Sequence, residues 1–364
     1  MRVLFAAGGT GGHLYPALAL AEALRDEAEI AFVGTAERME ARLVPSAGFP
    51  FFAVSAAPAE RRWWRALRAV LVNLRGVVQA ASVVVRERPD VVVATGGYVC
   101  VPVVLAAWVL RATCVHRAAI ALLEPNAMLG SANRLLLPLA DEIWGSGPFP
   151  AQRRFIRTGV PVRAALRALP PRDDAVRRLG IDPQKKTLLA MGGSQGARTI
   201  NDAVVELARS RRVPDGWQIV LIAGEREFAR IRNGLPVSGA VVGVPYLREM
   251  ADAYAVADLV LARAGASTLA ELAAVGRPAI LVPYPHAAGD HQAANAEAVA
   301  RSGAAVVVSD RDFDAGRLER EWRALAEPAR YAAALRAARG LAGGDATAAV
   351  TARIRALAQR KRRA

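Results

Sequence analysis

Short apolar runs alternate with helical patterns along almost the whole chain, and glycines stand repeatedly where a run ends. Val3 to Ala7 is a compact apolar run, followed by Gly8-Gly-Thr-Gly-Gly-His13 and a helical pattern from Leu14 to Arg25. Ile30–Gly34, Phe51–Ser55, Val91–Thr95, Ile120–Glu124 and Glu142–Gly145 read as further strands. Helical patterns separate them over Glu37–Ala47, Trp63 to about Arg88, and Ala127–Leu139. Such alternation predicts a parallel sheet wrapped by helices. From Thr158-Gly-Val-Pro-Val-Arg163 to Pro183 the pattern breaks into proline-rich, charged sequence, a candidate linker. A second cycle opens with Thr187–Met191, Gly192-Gly-Ser-Gln-Gly196 and a helix over Ala197–Arg209. Strands at Gln218–Ala223, Ala240–Val242, Leu259–Ala262, Ala279–Val282 and Ala304–Val308 complete it, and a basic helix runs from about Gly344 to Arg363. Two similar α/β halves follow, divided near residue 163.

Length agrees with that division, since 364 residues at 53% hydrophobic can fill two ordinary cores. The longest unbroken apolar runs, such as Val99–Leu110, fall short of the roughly 20 residues of a membrane span. The amino terminus opens directly on a strand, so a cytoplasmic chain without a cleaved signal is expected. Cys100 and Cys114 suit neither a disulfide framework nor a zinc site. The net charge of +15 favours polyanionic partners in general, but nearly all of it is arginine, and a compositional habit explains that equally well.

The glycine turns carry the chemistry. Strand, glycine turn and helix is a layout that presents backbone N–H groups and a helix dipole to an anion. The first turn is neither a dinucleotide fingerprint, which would want a small residue at Leu14 and an acid after the second strand, nor a P-loop, which would want Lys-Ser/Thr at His13-Leu14. His13 at this helix start is a candidate base, because the dipole favours the neutral imidazole; a local hydrogen-bonding histidine is the alternative. Ser194 and Gln195 add a hydroxyl and an amide to the second turn, which suits a phosphate or merely a tight turn.

The richest stretch is Ala262 to Asn295. Arg263 ends a strand there, and Ser267 and Thr268 start a helix able to hold a pyrophosphate. Glu271 can accept hydrogen bonds from two ribose hydroxyls, although Thr268-Leu-Ala-Glu271 also fits a capping box. His291, Gln292 and Asn295 open another helix with groups that read sugar hydroxyls or are simply solvated. Elsewhere, Arg61 to Arg75 mixes Trp63 and Trp64 with leucines, valines and arginines, which suits either an anionic membrane surface or a core-facing helix.

Nearly the whole sequence resembles the MurG family of bacterial cell-wall glycosyltransferases. The marks are Gly8–His13 with Pro16–Glu22, Gly96-Gly-Tyr98, Glu124 and Asn126, Pro161-Val-Arg163, Gly192–Arg198 with Asn201, and Ala262–Asn295. The resemblance implies an α/β GT-B fold of two Rossmann-like parallel-sheet domains facing across a cleft. Residues 1–162 would form an acceptor and membrane-associating domain joined by the 344–364 helix, and residues 163–343 a donor domain. It implies inverting transfer of GlcNAc from UDP-GlcNAc to the C4 hydroxyl of MurNAc in lipid I, giving lipid II, without a required cofactor or metal.

Carried across position by position, His13 is the base, with Glu124 and Asn126 beside it as catalytic residues and Tyr98 on the acceptor side. Thr10 and Gly11 are counted with the residues reaching the donor, Thr10 also lying toward the acceptor. Leu247 adjoins the uracil, Glu271 the ribose, Ser194, Gln195, Ser267 and Thr268 the diphosphate, and His291 and Gln292 the sugar. Arg163, Asn201, Arg263 and Asn295 line or support the donor site. Leu123-Glu-Pro-Asn126, Cys100-Val-Pro102 and a small insertion over Arg111–Ala118 depart from the family pattern, all on the acceptor side. The implied location is peripheral, at the cytoplasmic face of the plasma membrane, with Trp63, Trp64 and Trp108 meeting its anionic surface and no nucleic-acid partner. UDP-GlcNAc 2-epimerases share the fold and the donor. A basic nucleic-acid-binding protein would explain the charge but neither the paired glycine turns nor Glu271 and Gln292.

Overall fold

The computed structural model describes residues 1–58, 62–147, 154–193, 196–235, 240–287 and 290–363. The chain divides into two compact units, one of Met1–Arg163 with Gly344–Ala364 and the other of Ala164–Gly343.

In the first unit the elements run β1 (Arg2–Ala6), α1 (Gly11–Ala23), β2 (Glu29–Gly34), α2 (Glu40–Ser46), β3 (Phe51–Ala53), α3 (Trp63–Glu87), β4 (Val91–Ala94), α4 (Cys100–Ala112), β5 (Ala119–Glu124), α5 (Ser131–Leu136), β6 (Glu142–Gly145) and β7 (Phe155–Arg157). The seven strands form one sheet in the order β3-β2-β1-β4-β5-β6-β7, and every pairing is parallel. Strands buried on both faces need apolar residues throughout, which is why Val91–Ala94 shows no polar alternation. One face is covered by α1, where Phe5, Phe32, Leu14 and Trp144 share a core with Val350 and Ile354. Those last two come from the terminal helix. The other face packs Leu4, Val33 and Leu122 against Val84, Val103 and Val104 of α3 and α4.

The second unit continues with α6 (Arg172–Leu179), β8 (Lys186–Met191), α7 (Arg198–Arg209), β9 (Trp217–Ile222), α8 (Glu225–Ile231), β10 (Val241–Val244), α9 (Met250–Val256), β11 (Leu259–Ala262), α10 (Ala266–Val275), β12 (Ala279–Leu281), α11 (His291–Ala300), β13 (Ala305–Val307), α12 (Ala315–Ala326) and α13 (Pro328–Gly340). Its sheet is also parallel, in the order β10-β9-β8-β11-β12-β13. The chain then returns to the first unit as α14 (Ala346–Arg363).

Three expectations change. Strand β7 pairs with β6 beyond the strand read as the sheet's last; three residues at an edge carry too little pattern to be noticed. The stretch taken as a linker contains α6, whose Ala175 and Val176 are buried and whose Arg178 makes a bidentate pair with Asp252. Gly180 in the left-handed conformation ends that helix. Finally, α3 has 25 residues and is long and apolar enough to cross a membrane by length and composition, although no unbroken apolar run shows it.

Candidate active site

Each sheet reverses its direction of winding once, between β1 and β4 in the first unit and between β8 and β11 in the second. In an open parallel sheet the loops leaving the carboxyl ends of those two strands diverge, one to each face, and leave room for a ligand. The glycine turns noted in the sequence stand at these points.

In the first unit, Gly9 takes φ +89°, which favours glycine, and Thr10 is the extended cap residue of α1. His13 lies in the first turn of that helix, and its Nδ1 is 3.4 Å from the Gly8 carbonyl and 3.5 Å from Thr10 Oγ1. A carbonyl only accepts, so Nδ1 carries the proton in the neutral ring and Nε2 holds the lone pair. The turn after β4 supplies the floor. Gly96 and Gly97 have φ +103° and +85°, and a Cβ on Gly96 would come within 3.0 Å of His13 Nε2. Tyr98 follows at once, its Cε1 3.8 Å from the place a Cβ on Gly9 would occupy.

Glu40, absent from the sequence-based candidates, lies beneath this turn. It is fully buried and accepts from Thr35 N (3.1 Å), Thr35 Oγ1 (2.7 Å) and, more weakly, Gly9 N (3.4 Å). A Cβ on Gly8 would meet its Oε1 at 2.5 Å. Glu40 thus sets the path of the peptide whose carbonyl faces His13.

At the exit of β5, Glu124 is the centre of a hydrogen-bonded cluster. Its side chain is 1% exposed and accepts from Asn126 N (3.0 Å), Asn126 Nδ2 (2.9 Å), Gly130 N (2.8 Å) and Asn133 Nδ2 (2.9 Å). Both oxygens are engaged, and the carboxylate shapes the 125–130 loop and holds Asn126. Asn133 is a further member of this cluster that sequence alone does not reveal. Cys100 is buried against the Ala6 and Gly96 carbonyls, and burial pushes its thiol up to about 12, so it is inert at neutral pH.

In the second unit, Gly192 and Gly196 lie close to neighbouring backbone. A Cβ on the first would sit 2.1 Å from Ala197 N, and on the second 2.1 Å from Ala223 O. Ser194 and Gln195 lie outside the described residues. The turn leads into α7, where buried Asn201 donates to Ala223 O at 3.0 Å. After β11, extended Gly265 is the cap residue of α10, and Ser267 and Thr268 occupy its first turn. The capping-box alternative therefore fails, because the helix has already begun before Thr268. A helix start of this kind, with its backbone N–H groups and dipole directed outward, is an arrangement that can receive a phosphate.

Glu271 accepts at 2.9 Å from the hydroxyl of Tyr254, a fully buried residue of α9 that the sequence did not single out. Leu247 packs partly buried on the same core. Gln292 accepts from Tyr284 N at 2.9 Å, and His291 precedes it at the start of α11. Asn295 is buried, with Nδ2 3.4 Å from Ala264 O, and so braces the turn after β11.

Two arginines remain to be placed. Arg263 is buried and bound to Asp310 and to the Val282 and Pro283 carbonyls, so its charge is already matched within the unit. It supports the loops rather than offering a guanidinium to a diphosphate. Arg163 is the last residue of the first unit's opening segment, with its guanidinium 5.9 Å from the Tyr15 ring centroid, and is not among the second unit's groups.

A separate surface marks the first unit. On α3 the buried residues are Ala69, Gly76, Ala80 and Val84, while Trp63 (75% exposed), Trp64, Leu67, Val70, Leu71, Leu74 and Val78 face outward. The helix thus packs one side on the sheet through Val84 and leaves a row of large apolar residues on its other side exposed. Trp108 and Val109 of α4 are exposed as well.

The family profile described as the glycosyltransferase family 28 N-terminal domain matches residues 3–144, and its C-terminal counterpart matches residues 187–348. The chain belongs to glycosyltransferase family 28. It is 42% identical over 356 residues, 93% of either chain, to the UDP-N-acetylglucosamine--N-acetylmuramyl-(pentapeptide) pyrophosphoryl-undecaprenol N-acetylglucosamine transferase of Desulforudis audaxviator. The protein of that name from Moorella thermoacetica is 41% identical, with 87% of this chain and 88% of the relative covered. Among solved structures, Acinetobacter baumannii MurG aligns with TM-score 0.74 at 28% identity, covering 98% of this chain and 99% of the other. The family 28 chain is thus a MurG-type glycosyltransferase with the GT-B fold.

Proposed function

We propose that this enzyme transfers GlcNAc from UDP-GlcNAc to the C4 hydroxyl of MurNAc in undecaprenyl-pyrophosphoryl-MurNAc-pentapeptide, with inversion. The observation that carries the reading is the His13 imidazole at the first switch point, its Nδ1 3.4 Å from the Gly8 carbonyl, in a chain 42% identical to an enzyme of that name. The second unit takes the donor. Glu271 receives the ribose hydroxyls, Leu247 flanks the uracil, Gln292 and His291 meet the sugar, and the first turn of α10, with Ser267 and Thr268, faces the diphosphate.

His13 Nε2 removes the proton from the acceptor hydroxyl as its oxygen attacks the anomeric carbon. The bond from that carbon to the β-phosphate oxygen breaks, and UDP leaves with the electron pair. Backbone N–H donors and the α10 dipole stabilise the charge that develops on the diphosphate, so the reading needs no metal or cofactor. Single in-line displacement inverts the anomeric centre. The acceptor's lipid tail gives the outward apolar row of α3 its use, peripheral docking on an anionic bilayer at the cytoplasmic face, and the arginines along α3 favour phospholipid over nucleic acid in this reading.

The test is incubation with labelled UDP-GlcNAc, with and without the lipid acceptor, in the presence of EDTA. Labelled disaccharide lipid should form only with acceptor and in full despite the chelator. Isomerised UDP-sugar in the absence of acceptor would establish the epimerase reading instead, and tight, steeply salt-dependent duplex binding without donor binding would point to a nucleic-acid partner.

A further inference from the structure

Tyr254 is a polar residue in a place that asks only for bulk. It is fully buried on α9, in the core formed by Leu189, Met191, Val260 and Leu272, where phenylalanine would fill the same space. Its hydroxyl lies 2.9 Å from Glu271 Oε2 and 4.0 Å from the Met191 sulfur. Only the first is a full hydrogen bond. Burial, and then the Glu271 charge, hold the phenol well above its ordinary range, so it remains a proton donor throughout the working pH range.

The terminal torsion of a glutamate side chain is broad and roughly two-fold, so an unanchored carboxylate sweeps its plane. Two vicinal hydroxyls are satisfied together only when that plane is set, with one oxygen presented to each. We infer that Tyr254 is a positioning residue whose hydroxyl fixes the plane of the Glu271 carboxylate, and that it thereby sets the enzyme's preference for a ribonucleotide over a 2′-deoxyribonucleotide donor. The inference rests on the reading that Glu271 holds the ribose. A carboxylate offers about four lone-pair sites, so the bond from Tyr254 takes one and does not by itself close the group to a diol. Discrimination against an absent hydroxyl is strong where the site's own polar groups are held in place to receive it.

The experiment measures calorimetric affinity for UDP and for 2′-deoxy-UDP in the full chain, in Tyr254→Phe and in Glu271→Gln. Tyr254→Phe should weaken UDP by about three- to tenfold, as expected for one hydrogen bond to a charged group, and should change 2′-deoxy-UDP little. Its thermal midpoint should stay near that of the parent. Glu271→Gln should narrow the preference further. Equal weakening of both nucleotides by Tyr254→Phe, or of neither, while Glu271→Gln narrows the preference, overturns the role of Tyr254 alone. An unchanged preference in Glu271→Gln removes the ribose reading and the inference with it. Should Tyr254→Phe not fold, 3-fluorotyrosine placed at position 254 keeps the question open to measurement: its fluorine resonance should move on adding UDP and much less on adding 2′-deoxy-UDP, and equal movement with both counts against the proposal.

Discussion

At the scale of single residues, catalytic competence in the first unit depends on backbone that has no room for side chains. His13 rests on Gly96 and Gly97, and Gly96→Ala would both force a non-glycine residue to φ +103° and place a methyl group within 3.0 Å of the imidazole. Turnover by this variant should fall about 10²-fold or more, the range lost when a general base is misplaced, with UDP affinity retained. A variant of near-normal rate would show that the imidazole can move without consequence. His13 was legible because a histidine after a glycine turn is conspicuous in sequence. Glu40 was not: it falls in an ordinary helical pattern, and only the parallel pairing of β1 with β2 brings it under Gly8. Tyr254 and Asn133 were hidden for the same reason, since each acts on a residue that sequence spacing does not connect to it. The pairing of Arg263 with Asp310 was equally hidden, because Asp310 stands after a later strand.

Among elements, α3 joins two incompatible demands on one helix. Gly76 is pressed so closely onto the Ser55 carbonyl that a Cβ would lie 1.9 Å from its oxygen, while large apolar residues turn away from the sheet. Replacing Leu67, Leu71 and Leu74 by serine should therefore strongly reduce binding to anionic vesicles while leaving the thermal midpoint within a few degrees of the parent, as surface substitutions usually shift stability by only about 0.5 kcal/mol. Unchanged vesicle binding would assign the row to another partner. Sequence pattern located this helix within a residue or so at each end but left its orientation open, because a two-sided apolar helix looks alike whichever side meets the sheet. The strands were the most legible elements, since burial on both faces forces unbroken apolar runs. Short edge elements such as β7, and α6 with its charged surface, carried too few apolar positions to be distinguished from loop.

For the whole molecule, the return of α14 to the first unit shapes its response to acid. Glu142 is buried beside Trp144 Nε1 (2.9 Å) and receives Arg353, while Glu27 pairs with Arg355 at 2.7 Å. Arg355 holds the Glu27 carboxyl below its ordinary value of 4.5. The folded protein therefore binds that proton less readily than the unfolded chain. The contribution is present above the ordinary carboxylate range and is lost as pH falls through the lowered value. The thermal midpoint of the parent should fall more steeply than that of Glu27→Gln between about pH 5 and pH 3; parallel curves would show that the pair is immaterial to stability.

The same return has a consequence for the order in which the protein can be made. Val350, Ile354 and Leu357 complete a core otherwise built from the chain's first half, so that half leaves the ribosome with the part of the core beside α1 that α14 fills still open. At about 5–20 residues per second, translating residues 164–343 occupies on the order of ten seconds or more, during which the second unit can fold and the first must wait. The unit that is translated first is thus the one that matures last, and its exposure to chaperones is set by the length of its neighbour.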